Sequence, residues 1–214
     1  MKKWNELPKV MQNDKVKYYY DILQEHEKEL KLKRAFDIIC SLIMIIILSP
    51  VLIILSVMIK LDSKGPVLFK QVRVTTYGRK FKIWKFRTMV NNADKLGTQV
   101  TTKGDARITR MGHLLRKIRL DELPQLFNVL KGDMTFVGTR PEVPKYTAHY
   151  TEEMMATFLM PAGVTSRTSI EYKDEEKLLE NAENADEVYI KEVLPAKMVY
   201  NLREIEKFSF MRDI

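Results

Sequence analysis

Cysteine is almost absent from this chain of 214 residues. Because Cys40 is the only one, no disulfide can form within the chain, which favours a reducing compartment. The three histidines are scattered, and no cysteine and histidine cluster has the spacing of a zinc site. These absences exclude disulfide-stabilised secreted domains and zinc modules as classes for this protein.

Acidic residues are scarce in one half of the chain. Between Lys60 and Arg119 there are 16 lysines and arginines but only three acids, whereas 15 acids and nine bases follow from Glu142 onward. Such a basic half favours contact with anionic lipid headgroups or phosphorylated ligands. Nucleic acid is not expected as a partner, since no helix-turn-helix, zinc-finger or RNA-binding signature occurs.

An uncharged run extends from Ile38 to Ile59, and a helix of this length is about 33 Å long, enough to cross a bilayer. Ser49 and Pro50 lie near its middle. Proline removes a helix donor and kinks or breaks the helix, and the Ser49 hydroxyl is placed to satisfy a carbonyl that the bend frees. The sequence therefore predicts a break in the membrane helix at Ser49 and Pro50.

Basic residues flank this run on both sides, with Lys33 and Arg34 before it and Lys60 and Lys64 after it. A spanning helix usually concentrates cations on its cytoplasmic side. Two interpretations stay open: a single spanning helix with a mild kink, or a bent helix that enters one leaflet and returns. A cleaved signal peptide is not expected, because the run starts late and is too long.

The predicted fold is α+β and mainly helical, with a small β-hairpin and amphipathic surface helices. Residues 1–34 are predicted as an N-terminal surface extension, 35–61 as a re-entrant membrane helix and 62–214 as a cytoplasmic catalytic domain. Alternating polar and apolar residues predict hairpin strands at 67–74 and 80–86. Helices are predicted over the ranges 108–118, 121–130, 144–160, 175–184 and 188–208.

Four short segments carry the candidate chemistry. They are Lys85-Phe86-Arg87-Thr88-Met89, the stretch from Arg116 to Leu126, the stretch from Gly132 to Glu142, and Pro161-Ala162-Gly163-Val164-Thr165. Each alone has an ordinary structural explanation; adjacent acids such as Asp121 and Glu122, for example, usually cap a helix and complement its dipole. Their order behind a proline-interrupted apolar segment is far more specific.

Over roughly residues 33–168 the chain resembles the bacterial monotopic phosphoglycosyl transferases, or polyprenyl-phosphate sugar-phosphate transferases. The residues that carry the resemblance are Lys33-Arg34-Ala35-Phe36-Asp37, Ser49-Pro50, Gly65-Pro66-Val67, Lys85 to Met89, Leu120 to Leu130 and Gly132-Asp133-Met134. The resemblance implies a monotopic protein at the cytoplasmic face of the bacterial inner membrane, anchored among its lipids by a re-entrant helix.

The same resemblance implies the reaction. A nucleotide-activated sugar, usually a UDP-sugar, gives its sugar-1-phosphate to polyprenyl (undecaprenyl) phosphate, with release of UMP and with Mg²⁺ as cofactor. The product starts the assembly of a capsule, exopolysaccharide, O-antigen or glycoprotein glycan. Asp121 matches the family nucleophile, and a carboxylate with the ordinary pKa near 3.9 is ionised at neutral pH. Glu122 matches the metal-associated carboxylate.

The resemblance also implies a phosphate-binding set, because two carboxylates would repel an anionic donor unless cations offset them. This set comprises Lys85, Arg87, Arg116, Gly138, Arg140 and Pro141. The family commonly has Gly-Pro-Arg-Pro where this chain has Gly138-Thr139-Arg140-Pro141, and the segment after Thr165 also departs from the family pattern. We expect that later segment, 166–170, to influence which sugar is accepted.

Two other functions stay open at the level of sequence. A non-catalytic basic membrane adaptor of a glycan-assembly complex would need no Asp121-Glu122 pair. A polytopic transferase moves the same group without a covalent intermediate, but that class needs several membrane spans and one apolar segment is present here. A homo-oligomer also stays open.

Overall fold

The computed structural model describes residues 1–93, 105–166, 168 and 184–213. The helices are α1 (Asp14–Glu25), α2 (Glu27–Asp62), α3 (Arg110–Lys117), α4 (Gln125–Lys131), α5 (Pro144–Thr147), α6 (Ala185–Val188), α7 (Leu194–Glu206) and α8 (Phe210–Asp213). A π-helical turn, Tyr189–Val193, joins α6 to α7. The strands are β1 (Leu68–Val74), β2 (Lys80–Phe86), β3 (Met134–Val137) and β4 (Ala162–Thr165). The predicted α+β, mainly helical class is confirmed.

Two small sheets support the loops between these helices. Strands β1 and β2 form the predicted antiparallel hairpin, in which Val74 pairs with Lys80 and Leu68 with Phe86. Strands β3 and β4 pair in parallel, with Met134 opposite Ala162. The sequence did not predict this second sheet, because strands of four residues show too little alternation. The expected helix over 144–160 is instead α5 followed by a 3₁₀ segment, Met154–Leu159. The predicted helix over 175–184 lies outside the described residues except for Asn184, as does most of the segment 166–170.

Helix α2 carries the apolar run, and by length and composition it is the one helix in the described part of the chain that is able to cross a membrane. Most of its apolar side chains are exposed: Ile38, Ile39, Leu42, Ile43, Met44, Ile46, Ile47, Val51, Ile53, Ile54, Val57 and Met58. The helix is continuous through Pro50, so the predicted interruption at Ser49 and Pro50 is wrong as a break in helical structure. Because Pro50 has no N–H, the Ile46 carbonyl has no helical partner, and the Ser49 hydroxyl donates to it over 2.8 Å as predicted.

Both ends of α2 contact the same body of the protein. Near its start, the Arg34 guanidinium donates to the carbonyl oxygens of Val129 (2.6 Å) and Leu130 (2.9 Å), at the end of α4. Near its end, the Asp62 carboxylate accepts the backbone N–H of Met111, in the first turn of α3 (3.1 Å). Side chains around Leu55 also pack on residues that precede α4.

Residues before α2 contribute to the main hydrophobic core. Val16, Tyr19, Tyr20 and Leu23 are buried on one face of α1 and pack with side chains from the 3₁₀ segment 154–159 and from α7. The prediction of a separate surface extension over 1–34 is therefore wrong for this stretch. The signal was present in the sequence, because these four residues follow the i, i+3, i+4, i+7 spacing of an amphipathic helix.

Candidate active site

The predicted catalytic pair lies on a single 3₁₀ turn, Leu120–Glu122, between α3 and α4. Arg119 starts this turn with a φ of 58°, in the left-handed region that non-glycine residues rarely adopt. Such a conformation costs on the order of 1–2 kcal/mol and often marks functional sites. Here it redirects the chain after α3, so that Asp121 points into the protein and is only 8% exposed.

Glu122 is held by two cations from different parts of the chain. Its Oε1 accepts from Lys85 Nζ on β2 (2.7 Å) and from Arg140 Nη2 on the loop after β3 (3.0 Å). Burial by itself would raise the pKa of Glu122, but the charges of Lys85 and Arg140 outweigh it and lower that pKa to about 2. The structure thus brings together three of the predicted site residues, with Glu122 ionised throughout the physiological range.

Asp121 has a different environment, although it is adjacent in sequence. Its Oδ1 is buried and has no hydrogen-bond partner among the described residues. Burial raises the pKa of Asp121 above its ordinary value, Glu122 adds to this rise, and Lys85 and Arg116 oppose it. The expectation of an unperturbed carboxyl is therefore wrong. Two adjacent acids with pKa values pushed in opposite directions are a pattern of catalytic sites.

Arg116 lies near the pair, at the last turn of α3. Its Nε donates to Thr88 Oγ1 over 2.9 Å, and its charge acts to lower the pKa of Asp121. Burial lowers the pKa of Arg116 itself. Thr88 is buried, and sequence reasoning gave it no role, although it stands directly after Arg87 in the first motif.

Arg87 lies away from the carboxylate pair. It is 5% exposed, and its Nη2 donates to the carbonyl oxygens of Ile59 (3.3 Å) and Ser63 (2.6 Å) and to the Ser63 hydroxyl. These contacts cap the C-terminal end of α2, where carbonyls lack helical partners. The structure thus gives Arg87 a helix-capping contact through Nη2, and phosphate binding by Arg87 stays a prediction.

Gly138 and Pro141 shape the loop that carries Arg140 and do not contact the carboxylates in the described contacts. A Cβ at Gly138 would lie 2.9 Å from the Pro161 carbonyl oxygen, so glycine permits β3 and β4 to approach closely. The Pro141 carbonyl accepts from Arg73 Nη1 over 3.0 Å. Both residues thus position the backbone next to Arg140, and phosphate binding by either of them stays a prediction.

Asn128 positions Lys85 and was missed by sequence reasoning. From α4, its Oδ1 accepts from the backbone N–H of Trp84 (3.0 Å), and its Nδ2 donates to the carbonyl of Lys82 (2.9 Å). Asn128 is 1% exposed, and a buried amide needs such partners. It therefore fixes the end of β2, with Lys85, against the helix that follows the catalytic turn.

The donor set of this turn fits Mg²⁺, which typically takes one or two carboxylates and completes its shell with substrate phosphate and water. Glu122 is ionised, and the adjacent Asp121 has a buried oxygen without a partner in the described part of the chain. Within the described residues there is no group of three or more acidic, histidine or cysteine ligands. The residues therefore fit an ion bound together with a phosphorylated substrate.

Comparison with known sequences assigns the chain to a family. A family described as "Bacterial sugar transferase" matches residues 28–207. The chain therefore belongs to the bacterial sugar transferases, as the motifs at Lys85, Asp121 and Gly132 predicted.

Several relatives are similar to part of this chain. A UDP-N-acetylgalactosamine-undecaprenyl-phosphate N-acetylgalactosaminephosphotransferase of Aeromonas hydrophila is 46% identical over 123 residues, 58% of this chain and 29% of the relative. A UDP-glucose:undecaprenyl-phosphate glucose-1-phosphate transferase of Escherichia coli (strain K12) is 40% identical over 169 residues, which are 75% of this chain and 36% of the relative. An undecaprenyl-phosphate galactose phosphotransferase of Salmonella typhimurium is 39% identical over 149 residues, which are 63% of this chain and 31% of the relative. The chain spans about a third of the length of these relatives.

Proposed function

We propose that this protein transfers a sugar-1-phosphate from a UDP-sugar to undecaprenyl phosphate and so starts the assembly of a surface glycan. The relatives named above act on undecaprenyl phosphate. The sugars in their names differ, so the sugar of this chain stays open. The single observation that carries the proposal is the contrast between two adjacent acids. Asp121 is buried with an oxygen that has no partner among the described residues, whereas Glu122 is fixed by two cations.

Asp121 is proposed as the nucleophile. Its carboxylate oxygen attacks the phosphorus that bears the sugar, the bond from that phosphorus to the bridging oxygen breaks, and UMP leaves with that oxygen. A phosphate oxygen of the polyprenyl acceptor then attacks the same phosphorus and releases the Asp121 carboxylate. Splitting the transfer in this way lets a soluble donor and a lipid acceptor use one site in turn.

The cations supply the electrostatics of this transfer. Lys85 and Arg140 both contact Glu122 Oε1, so they stand at the carboxylate beside the nucleophile, and Arg116 acts on Asp121 from α3. An arginine can bind phosphate oxygens in a bidentate manner, whereas lysine acts more as a point charge. Mg²⁺ held by Glu122 would supply further positive charge for the diphosphate. A basic adaptor without catalysis would have no need of this buried arrangement.

The re-entrant path of α2 is part of the proposal, with the protein on the cytoplasmic face of the inner membrane. Two observations support it. Residues 7–23, before the apolar run, share a hydrophobic core with residues 154–208, after it, and a spanning helix would separate these parts by a bilayer. In addition, Arg34 and Leu55 would lie about 32 Å apart on a straight helix. Arg34 contacts the end of α4, and Leu55 belongs to a hydrophobic cluster against which Leu123, two residues before α4, is packed.

The test is a two-step assay on purified protein in detergent or nanodiscs. Incubation with a panel of UDP-sugars and Mg²⁺, without acceptor, should release about one UMP per enzyme and leave a phosphosugar adduct on Asp121, detectable by mass spectrometry of quenched protein. Addition of undecaprenyl phosphate should restore turnover. Turnover with acceptor but no adduct at any time point would contradict the covalent route and favour direct transfer.

A further inference from the structure

Glu142 is a buried acid for which the proposed reaction has no role. It is 7% exposed and follows two residues after Arg140. Its Oε1 accepts from the Tyr189 hydroxyl over 2.6 Å, and Lys197 Nζ lies 3.6 Å from the same oxygen. Since an ionised acid is rarely buried without such partners, this cluster is built around the carboxylate.

The π-helical turn before α7 explains how two residues of one helical stretch reach the same oxygen. Tyr189 and Lys197 are eight residues apart, which in a regular α-helix would rotate them about 80° from each other. The turn Tyr189–Val193 is π-helical, and such a turn adds about one residue, which brings the pair back to nearly one face. Lys197 Nζ also donates to the Tyr189 hydroxyl over 3.2 Å. Irregular turns of this kind are frequent at functional sites.

The same short loop is fixed on its other side by β1. The Glu142 carbonyl accepts from the backbone N–H of Val74 (3.0 Å), and Arg73 Nη1 donates to the Pro141 carbonyl (3.0 Å) and lies 4.0 Å from Glu142 Oε2. The loop of Arg140 is therefore held between the hairpin and the C-terminal helices. Two residues before Glu142 in this loop, Arg140 contacts Glu122.

We propose that Glu142 is a positioning residue, which through Tyr189 and Lys197 holds the Arg140 guanidinium where it meets the diphosphate of the donor. This inference rests on the proposed function for the identity of the donor. It implies that the acidic C-terminal part of the chain acts on donor binding without contacting the donor itself.

The variants Glu142→Gln and Tyr189→Phe test this role, and Tyr146→Phe is the matched control. The Tyr146 ring packs on Tyr189 with centroids 4.3 Å apart, but its hydroxyl donates to Asp186 instead of Glu142. We expect both test variants to raise KM for the UDP-sugar about tenfold with a smaller effect on kcat, and the control to leave KM unchanged. In an Arg140→Ala background, Glu142→Gln should raise KM little further, because both substitutions remove the same interaction between Arg140 and the donor.

The proposal would be overturned if Glu142→Gln raised KM by the same factor in the presence and absence of Arg140. It would also be overturned if Tyr146→Phe raised KM as much as the two test variants. Hydrogen exchange gives a readout that needs no activity: peptides over residues 138–147 should exchange faster in both test variants than in the control. Unchanged exchange in Glu142→Gln and Tyr189→Phe contradicts the positioning role. If the wild-type protein released no UMP from any donor, the proposed function would fail, and this exchange comparison would still decide the role of Glu142.

Discussion

The Nζ of Lys85 lies 2.7 Å from Oε1 of Glu122, and this contact joins the hairpin to the catalytic turn. The lysine side chain is 22% exposed and the glutamate side chain 13%. In such a site a charge pair is weakly screened by water, so the loss of one partner leaves the other charge buried and unpaired. The pair therefore links the fold of the hairpin to the charge balance around Asp121.

Removal of the Lys85 charge should shift the pH dependence of the reaction. Because the pKa of Asp121 is raised, kcat/KM for UMP release should fall as the pH drops through a value above the ordinary aspartate range near 3.9. Lys85 opposes the rise in the pKa of Asp121, so in Lys85→Met the fall of kcat/KM at low pH (the acid limb of the profile) should occur at higher pH. The exposed Lys82 on the same strand offers the control Lys82→Met, which should keep the wild-type profile.

The ion pair on Glu122 should keep the site folded during this titration. The folded-state pKa of Glu122 is about 2, below the ordinary value near 4.3. Its contribution to stability is thus fully present above pH 4.3 and is lost only as the pH falls toward 2. Thermal unfolding measured from pH 4 to 8 should therefore change less than kcat/KM does; a parallel loss of both would assign the acid limb to unfolding.

Asp121→Asn should separate activity from stability. The variant lacks the nucleophilic carboxylate, so UMP release should fall by at least about 10³-fold. It also removes a buried charge whose Oδ1 has no partner in the described residues, so the free energy of unfolding should stay equal or rise by about 1 kcal/mol. Asp21→Asn, at an exposed pair with Lys17 on α1, should keep activity. Substantial UMP release by Asp121→Asn would refute the assignment of the nucleophile.

Arg87→Met should act on stability rather than on donor binding. The substitution removes the donors to Ile59 and Ser63 at the end of α2. It also removes Nε and Nη1, which are buried without a partner among the described residues, so the free energy of unfolding should fall by only about 1–2 kcal/mol. Arg79→Met, whose side chain is 52% exposed, should cost less than about 1 kcal/mol. Thermal unfolding and KM for the donor decide between the roles. A raised KM with unchanged stability would support phosphate binding by Arg87.

Cysteine labelling should place both ends of α2 on one side of the membrane. In a Cys40→Ser background, Lys31→Cys and Lys64→Cys should both react with a membrane-impermeant maleimide only after the inner membrane is permeabilised. Both native side chains are exposed, which keeps them accessible to the reagent. Ile47→Cys, at an exposed apolar position, should stay unlabelled within the lipid. Labelling of the two ends from opposite sides would establish a spanning helix.

The sequence predicted the elements that depend on local pattern. Alternation identified the hairpin that carries Lys85, and the apolar run with its Ser49 and Pro50 identified the membrane helix. The family resemblance, and no local pattern, implied that Lys85, Glu122 and Arg140 share one site, as the structure has them. The hairpin and the apolar helix, in contrast, are each encoded within one short segment.

What the sequence did not reveal depends on long-range packing. Arg87 stands in the same motif as Lys85, but only the position of α2 shows that its guanidinium caps that helix. The opposite pKa shifts of Asp121 and Glu122 arise from burial and from cations that lie 18 to 37 residues away in sequence. Similarly, Asn128 gains its role from strand β2, which no local pattern connects to α4.

The core shared by Leu23 and Met198 has a practical consequence for protein engineering. A water-soluble fragment that simply starts after Asp62 would leave Met198, Leu202 and their neighbours uncovered, and it would aggregate. A soluble variant should instead keep residues 7–23 and replace only exposed apolar side chains of α2, such as Ile43, Ile47 and Ile54.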